Sequence, residues 1–424
     1  MKKVTRAAQD RGRKRSLGRQ FWLLFFGESA SAVGTAASVI ALPVVSFQHS
    51  GDVRQAGFIG TALSLGIVLA RLPAGVLADR YERRTLLLVC NTAGALVLGA
   101  LAVLEKSDAA PLGVLVLAAF LLGTVGSTLA PAESVAVRNF VEADLLPRAL
   151  ALIQGRAAVA MIAGPLVGGV LLKVDAAWVF AADAATYLTA AGCVFLLPSG
   201  TGPTAEANQT PLRATVEGLR FLWRSPFLRY GALNATVLNL VFNGLLIVII
   251  VSAEGSGAGE LSVGVQTASL GAGALAGSLV AAPVARRLPP APGIAGATGV
   301  IAAALLGFAT VRSTWGAALL LAVATAAGPV ITVVISATQV RITPPQLQGR
   351  VYSGTGFLAQ AIAPLGPLLA GACSHALGLS ATVTGAAVVV LVLAVVGGFV
   401  AARHAQPIDG SGVFEAELVE VRRE

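Results

Sequence analysis

The stretch AGVLADRYERR, residues 74–84, places five charged side chains within six positions, between two long apolar runs. The run before it, residues 58–77, is built almost entirely of apolar and small residues, and so is the run after it, residues 85–104. Each run is about as long as the ~20 residues that an α-helix needs to cross the hydrocarbon core of a bilayer. The charges are therefore predicted to stand in a turn between two membrane-spanning helices.

The composition of the whole chain agrees with a membrane environment. Of 424 residues, 56% are hydrophobic and only 12% are charged, and the mean hydropathy is +0.80. Soluble domains carry roughly 25% charged residues, so a water-soluble fold of this chain would expose large apolar patches. The long unbroken runs predict helices rather than the alternating ~10-residue strands of a membrane barrel.

Twelve such runs lie along the chain, so we predict an all-α polytopic membrane protein with two pseudo-symmetric six-helix bundles. The cysteines all lie inside apolar runs and show no disulfide or metal-ligand spacing, so no metal site is expected. The predicted parts are a basic tail at 1–19, a first bundle at 20–197, a linker with an amphipathic segment at 198–227, a second bundle at 228–402 and a tail at 403–424.

The distribution of lysine and arginine predicts the orientation. If the N-terminus is cytoplasmic, 24 of the 30 basic residues fall on the cytoplasmic side and four fall on the outer side. Cytoplasmic loops carry such an excess in multi-pass proteins. Both termini are therefore expected in the cytoplasm, and the pI near 10.1 needs no nucleic-acid partner.

The two halves repeat each other at a constant offset. GPLVGG begins at Gly164 and GPLLAG begins at Gly366, which is 202 positions later. Arg148 and Arg350 are related by the same offset, and so are the stretches that begin at Ala74 and Ala276. Duplicated bundles around a midplane site are a transporter architecture that works by alternating access.

These motifs resemble the major facilitator superfamily. The stretch after the second run matches its motif A, with Glu82 at a position where glycine is usual; the matching residues are Gly75, Asp79, Arg80, Arg83 and Arg84. The fifth run resembles the motif C of antiporters; its matching residues are Gly164, Pro165, Gly168 and Gly169. The stretch from Pro131 to Leu188 is similar to the branch that contains the enterobactin exporter and macrolide efflux proteins.

The resemblance implies roles for both motifs. Motif A would latch the cytoplasmic side when the outer side is open, although its arginines could also serve only to set topology. Motif C would help to seal the outer side, although its glycines could also be ordinary helix packing. The resemblance also implies a multi-pass protein of the bacterial cytoplasmic membrane, and we expect a monomer surrounded by lipid.

Ionisable residues inside predicted spans are costly and are functional candidates. Four of them have comparable depth in the first bundle: Glu28, Arg71, Glu133 and Arg156. They predict a charge network that either switches with protonation or acts as a permanent clamp. Asp183, near the start of the sixth run, is a further protonation candidate or a structural helix-end residue.

Uncharged polar residues are candidates for the substrate cavity. Ser31 and Thr35 continue a stripe from Glu28 at helical spacing, and Asn239, Asn243 and Gln360 lie in the second half. The amides suit hydrogen bonds to a bulky polar ligand, but they could equally pair helices.

We predict proton-coupled efflux of an amphipathic drug, antibiotic or siderophore-like compound, with the proton gradient as energy source and no cofactor. The nucleotide-binding loop GxxxxGK[ST] is absent from the sequence, and no catalytic triad or metal spacing supports an enzyme. A passive facilitator on the same scaffold and a non-transporting membrane receptor are the alternatives.

Overall fold

In the computed structural model, the described residues are 17–107, 110–198, 220–255, 259–343 and 347–403, and they form helices with no β-strand among them. Twelve helical spans in this part of the chain are long and apolar enough to cross a membrane, which confirms the predicted fold class. The helices are α1 (Arg19–Ser50), α2 (Val53–Arg80), α3 (Arg83–Lys106), α4 (Leu112–Phe140), a short 3₁₀ turn (Ala143–Leu145), α5 (Leu146–Leu172), α6 (Ala176–Phe195), α7 (Pro226–Gly255), α8 (Gly259–Arg287), α9 (Pro290–Phe308), α10 (Thr314–Ile342), α11 (Gln348–Ala361), α12 (Leu365–Leu377) and α13 (Leu379–Arg403).

Two sides of the membrane can be defined from α1: the proximal side, where α1 begins, and the distal side, where it ends. The same packing recurs in both halves. Helix α2 packs along α4, α3 packs on α6, and α1 contacts α5 and α6. In the second half α8 packs along α10, α9 packs on α13, and α7 contacts α12 and α13. The sequence repeat is therefore also a structural repeat.

Small residues let the paired helices approach to backbone contact. A methyl group added at Gly123 in α4 would collide with the carbonyl oxygen of Leu63 in α2, and one added at Gly277 in α8 would collide with that of Ala326 in α10. Such close approach supplies van der Waals contact where lipid removes the hydrophobic driving force between helices. Glycines at such positions therefore allow the helices within each bundle to pack closely.

The eleventh span departs from the single helix that its apolar run predicts. It consists of α11 and α12, separated by a break at residues 362–364. The equivalent helix α5 contains Pro165 without breaking, and the position 202 before Pro364 is Ile162. Two prolines three residues apart, Pro364 and Pro367, remove two backbone donors and crowd the preceding turn. The extra proline accounts for the break.

The predicted connecting segments are only partly described. The linker at 198–227 lies mostly outside the described residues, except that 220–224 are helical and α7 already begins at Pro226. The basic tail before residue 17 and the tail after residue 403 also lie outside them.

Candidate coupling and gating sites

A buried ion pair joins α4 to α5 in the proximal half of the first bundle. Arg156 donates from both terminal nitrogens to the Glu133 carboxylate, at 2.6 Å to Oε1 and 2.7 Å to Oε2. Their side chains are only 11% and 10% exposed. A forked arginine–carboxylate pair is the strongest geometry available to these groups, and removing one member would leave a buried charge.

Glu28 lies beside this pair on α1. It is 6% exposed, and its Oε1 accepts a hydrogen bond of 3.0 Å from the amide nitrogen of Asn91 on α3. Asn91 is fully buried and also donates to the carbonyl oxygen of Leu87. The charges of Glu133 and Arg156 both act on Glu28. Two acids and one arginine therefore share one buried cluster, in which the arginine is engaged by Glu133.

The structure does not bring Arg71, the fourth residue of the predicted network, to this cluster. Its side chain is exposed on α2, and in the described part of the chain it forms no ion pair. The position along the chain predicts the depth of Arg71, but an exposed side chain is not part of the buried Glu133–Arg156 pair.

The polar stripe of α1 faces α6 inside the first bundle. Thr35 donates a hydrogen bond of 3.0 Å to the hydroxyl oxygen of Tyr187, and Ser31 and Ser38 are buried. Asp183, one turn before Tyr187, is 1% exposed and lies eight residues into α6 rather than at its end. Ser31 and Thr35 thus contribute to a polar column between two helices, and their assignment to a substrate cavity stays a prediction.

The candidate amides of the second half do come together. Gln360 on α11 donates a hydrogen bond of 3.2 Å to the side-chain oxygen of Asn239 on α7. The amide of Asn243, one turn further along α7, donates 2.8 Å to the backbone oxygen of Asn239. Its own oxygen faces Ser64 of α2 at 3.4 Å, which is a contact between the two bundles. These half-buried groups form a polar cluster at the boundary between the halves.

Motif A is described only in part, because the side chains of Gly75, Asp79 and Arg80 lie outside the described residues. Arg83 is buried at the start of α3. Arg84 donates a hydrogen bond of 2.7 Å to the Phe195 carbonyl oxygen, and its guanidinium lies 5.3 Å from the centre of the Phe195 ring. Arg84 therefore ties the beginning of α3 to the end of α6 on the proximal side, within one bundle.

Motif C lies between α1 and the second bundle. Gly164 and Gly168 pack against Ala36 and Ala37 of α1, where Cβ atoms would crowd the helix. Gly169 and Pro165 face α8: a methyl group added at Gly264 would stand 2.7 Å from the Pro165 carbonyl oxygen and 3.2 Å from the Gly169 Cα. The sequence alone gave no reason to single out Gly264.

An equivalent contact joins α2 to α12. A methyl group added at Gly57 would stand 2.8 Å from the carbonyl oxygen of Pro367 and 3.4 Å from the Cα of Gly371. Pro367 and Gly371 follow Pro165 and Gly169 by the repeat offset of 202. We name these two contacts the distal seams, because all of these residues lie in the distal parts of their helices. The two halves thus meet at two symmetry-related glycine contacts on one side of the membrane.

Polar contacts reinforce this side. Gln48 of α1 donates 2.9 Å to Glu260 of α8, and His375 of α12 lies 3.8 Å from Asp52. Hydrogen bonds from the neighbouring Arg54 lower the pKa of the Asp52 carboxyl below its ordinary value. Within the first bundle, Lys106 lies 2.6 Å from Asp175 and lowers the pKa of that carboxyl.

A search of the described residues finds no group of histidine, cysteine, aspartate and glutamate that could hold a metal ion. Two repeated helical bundles that carry buried charges are an architecture typical of membrane transporters. The family model of the Major Facilitator Superfamily matches residues 24–364, and the chain belongs to this superfamily. As a member of this family, the protein is a transporter rather than an enzyme.

The chain is similar in sequence to multidrug efflux pumps and to a chloramphenicol resistance protein. The multidrug efflux pump Tap of Mycolicibacterium fortuitum is 27% identical over 400 residues, which are 89% of this chain and 94% of the relative. Tap of Mycobacterium tuberculosis is 28% identical over 375 residues, covering 85% and 88%. A chloramphenicol resistance protein of Streptomyces lividans is 27% identical over 278 residues, covering 63% and 67%.

Solved structures share the fold. The nucleoside transporter NupG superposes with a TM-score of 0.73 at 13% identity, covering 90% of this chain and 99% of that one. A bacterial homolog of the human lysosomal transporter Spinster, inward-facing and unoccupied, superposes with a TM-score of 0.71 at 17% identity, covering 92% and 98%. At these identities the likeness establishes the architecture.

Proposed function

We propose that this protein exports an amphipathic drug, antibiotic or siderophore-like compound across a bacterial cytoplasmic membrane in exchange for protons. The names of its relatives support drug efflux, and the family supports alternating access. Proton coupling is supported chiefly by Glu28, a buried carboxylate beside an arginine that is already engaged. The protein acts as a monomer with lipid around it.

The orientation follows from the charge distribution. The proximal side, which holds 24 of the 30 lysines and arginines, is cytoplasmic by the positive-inside rule. The distal seams then close the outer side, and in an alternating-access cycle the boundary between the bundles would open toward the cytoplasm when the outer side is closed. This is the state in which an exporter loads its substrate.

The coupling step follows from competition for one arginine. While Glu28 carries a proton, Arg156 stays with Glu133, and the cluster contains one balanced pair. When Glu28 loses its proton, two carboxylates share Arg156, and a buried uncompensated charge is costly. Because the three residues stand on α1, α4 and α5, a shift of Arg156 toward Glu28 would change how these helices pack. The helix α5 also carries one distal seam, so the proton site and the outer seal share an element.

The amide cluster offers a separate contact surface for substrate. Asn239, Asn243 and Gln360 carry no charge that depends on pH, and they lie at the boundary between the halves. Neutral amides can hydrogen-bond a bulky polar compound without the cost of burying a charge. We therefore assign the proton to the first bundle and most polar substrate contacts to the second.

Transport by reconstituted protein tests the proposal. A drug, antibiotic and siderophore sensitivity panel, with and without the gene, first selects the compound with the largest change in resistance. Proteoliposomes then receive a pH gradient, and accumulation of that compound is measured for the natural protein, for Glu28→Gln and for Glu142→Gln. Glu142 is an exposed acid, so its variant controls for the loss of one negative charge.

We expect uphill accumulation by the natural protein and by Glu142→Gln, collapse of accumulation by an uncoupler, and no accumulation by Glu28→Gln. If the compound only reaches equal concentrations on both sides, and the uncoupler has no effect, the protein is instead a passive facilitator. If no compound moves at all, the transport proposal fails and the receptor alternative remains.

A further inference from the structure

The carboxyl group of Asp183 is buried in the distal half of the first bundle. Asp183 of α6 is 1% exposed and lies against α1, where a methyl group added at Gly34 would collide with its Oδ1. The contact with Gly34 means that α1 is shaped to receive this side chain. The cluster of Glu28, Glu133 and Arg156 does not use it.

The two oxygens of the Asp183 carboxyl have different surroundings. Oδ1 accepts a hydrogen bond of 3.1 Å from the hydroxyl of Thr186, one turn along the same helix. Oδ2 has no hydrogen-bond partner among the described residues. The Ser38 hydroxyl approaches the carboxyl from α1, but its oxygen also has no hydrogen bond of good geometry in this part of the chain. Two buried polar groups therefore lie near each other without a hydrogen bond of good geometry in the described part of the chain.

No positive charge balances Asp183 within the described ranges. Helices α1, α3 and α5 pack against α6. Four of their basic residues lie at the proximal ends of these helices, away from the distal half: Arg19, Arg83, Arg84 and Arg148. Arg156 pairs with Glu133, His49 lies beside Glu105, Lys106 pairs with Asp175, and Lys173 is exposed. The titratable groups that act on this region are Tyr187 and Glu28, and neither supplies a positive charge.

A proton on Oδ2 would account for both the missing hydrogen bond and the missing cation. It would remove a buried negative charge that has no cation, and it would provide the hydrogen that Asp183 can donate to the Ser38 oxygen. The balanced step is the transfer of one proton from hydronium to the carboxylate, which gives the carboxylic acid and a water molecule.

We propose that Asp183 is a second proton-binding site of the transport cycle, loaded from the distal side. This inference rests on the proposed function. Asp183 and Glu28 lie at different depths along one polar column, with Tyr187, Thr35 and Ser31 between them. The column makes Asp183 the outer site and Glu28 the inner site, and each transport cycle then moves two protons.

Infrared spectroscopy of the purified protein tests the proton at Asp183 without any substrate. At neutral pH, Asp183→Asn should remove the carbonyl stretching band of a buried protonated carboxyl group. Asp175→Asn is the matched control, because Asp175 caps the same helix, is partly exposed and is paired with Lys106; it should leave the band unchanged. If Asp183→Asn does not fold, Ser38→Ala should instead shift the band, because the acid loses its hydrogen-bond acceptor.

Transport then tests whether this proton is coupled. With the compound selected by the panel, the logarithm of the accumulation ratio is plotted against the imposed pH difference. Asp183→Asn should lower the slope from about two protons per substrate to about one, while Asp175→Asn keeps the slope of the natural protein.

Two results would overturn the inference. A carbonyl band that is unaffected by both Asp183→Asn and Ser38→Ala would show that the carboxylate is ionised. A band that disappears with no change in slope would show a structural acid outside the cycle. By contrast, a natural protein that shows no pH-driven accumulation refutes the proposed function itself, whatever the spectrum of Asp183→Asn.

Discussion

Gly264 and Gly169 face each other across the boundary between the two bundles, so closely that a methyl group on Gly264 would stand 3.2 Å from the Gly169 Cα. The pair formed by Gly57 and Gly371 repeats this contact in the other seam. Both pairs are backed by a proline carbonyl oxygen, from Pro165 or from Pro367. Packed backbones separate or close as units, so the seams are suited to an all-or-none seal.

The first prediction concerns these seams. Gly264→Ala and Gly57→Ala should each reduce the population in which the distal side is closed, because the added methyl group must displace backbone atoms. Spin labels at the exposed positions Lys173 and Arg312, on opposite halves of the distal side, report this distance in a background without native cysteines. Gly328→Ala on α10, which meets open space, should leave the distance distribution as it is. An unchanged distribution in both seam variants would contradict the assigned role.

The second prediction concerns the packing within a bundle. Gly123→Ala should destabilise the protein by about 1–3 kcal/mol, since a methyl group there collides with the Leu63 carbonyl oxygen in α2. Gly126→Ala, on the same helix but facing open space, should be neutral or slightly stabilising. Thermal unfolding in detergent compares the two, and equal melting temperatures would contradict the close approach of α2 and α4.

The third prediction concerns the Glu133–Arg156 pair. Arg156→Met should cost about 3–5 kcal/mol, because it leaves the Glu133 carboxylate buried without its partner. The double variant with Glu133→Gln should recover much of that loss, which a double-mutant cycle measures by unfolding. Lys106→Met, which breaks an exposed pair, should change stability little. A loss in Arg156→Met as small as that in Lys106→Met would contradict a buried, energetically important Glu133–Arg156 pair.

The sequence predicts the number of spans and the duplication because both depend on composition and on offsets along the chain. It also contains the cause of the break in the eleventh span, since Pro364 stands where the first half has Ile162. Contacts across the bundle are different. The period of the α1 stripe shows that Glu28, Ser31 and Thr35 share a face, but only the packing of α6 shows that this face meets Tyr187 and Asp183.

Because contacts across the bundle depend on helix packing, the sequence did not single out some residues of the site. Asn91 is one polar residue in an apolar run, and nothing along the chain relates it to Glu28, which is 63 positions away. Ser64 and Gly264 become relevant only when the two halves are placed side by side. Arg71 shows the reverse case: its predicted depth resembles that of Arg156, but its side chain is exposed and that of Arg156 is not.

The fourth prediction separates substrate contacts from helix packing on α7. Asn239→Leu should alter the range of exported compounds with the proton-driven step retained, because its amide belongs to the cluster between the halves. Asn234→Leu, on the same helix, should instead lower stability, since Asn234 is fully buried and donates 2.9 Å to Thr298. Resistance panels and melting temperatures distinguish the two, and a changed substrate range in Asn234→Leu alone would reverse the assignment.

The central claim is that the two bundles rock against each other and that the proton on Glu28 controls the motion. Two label pairs measure it directly: Lys173 with Arg312 on the distal side, and Arg148 with Arg286 on the proximal side, all of them exposed. As pH is varied, one distance should lengthen while the other shortens in the natural protein, and Glu28→Gln should abolish the response. The account would be contradicted if the two distances did not depend on pH or changed in the same direction. An equal pH response in Glu28→Gln would also contradict it.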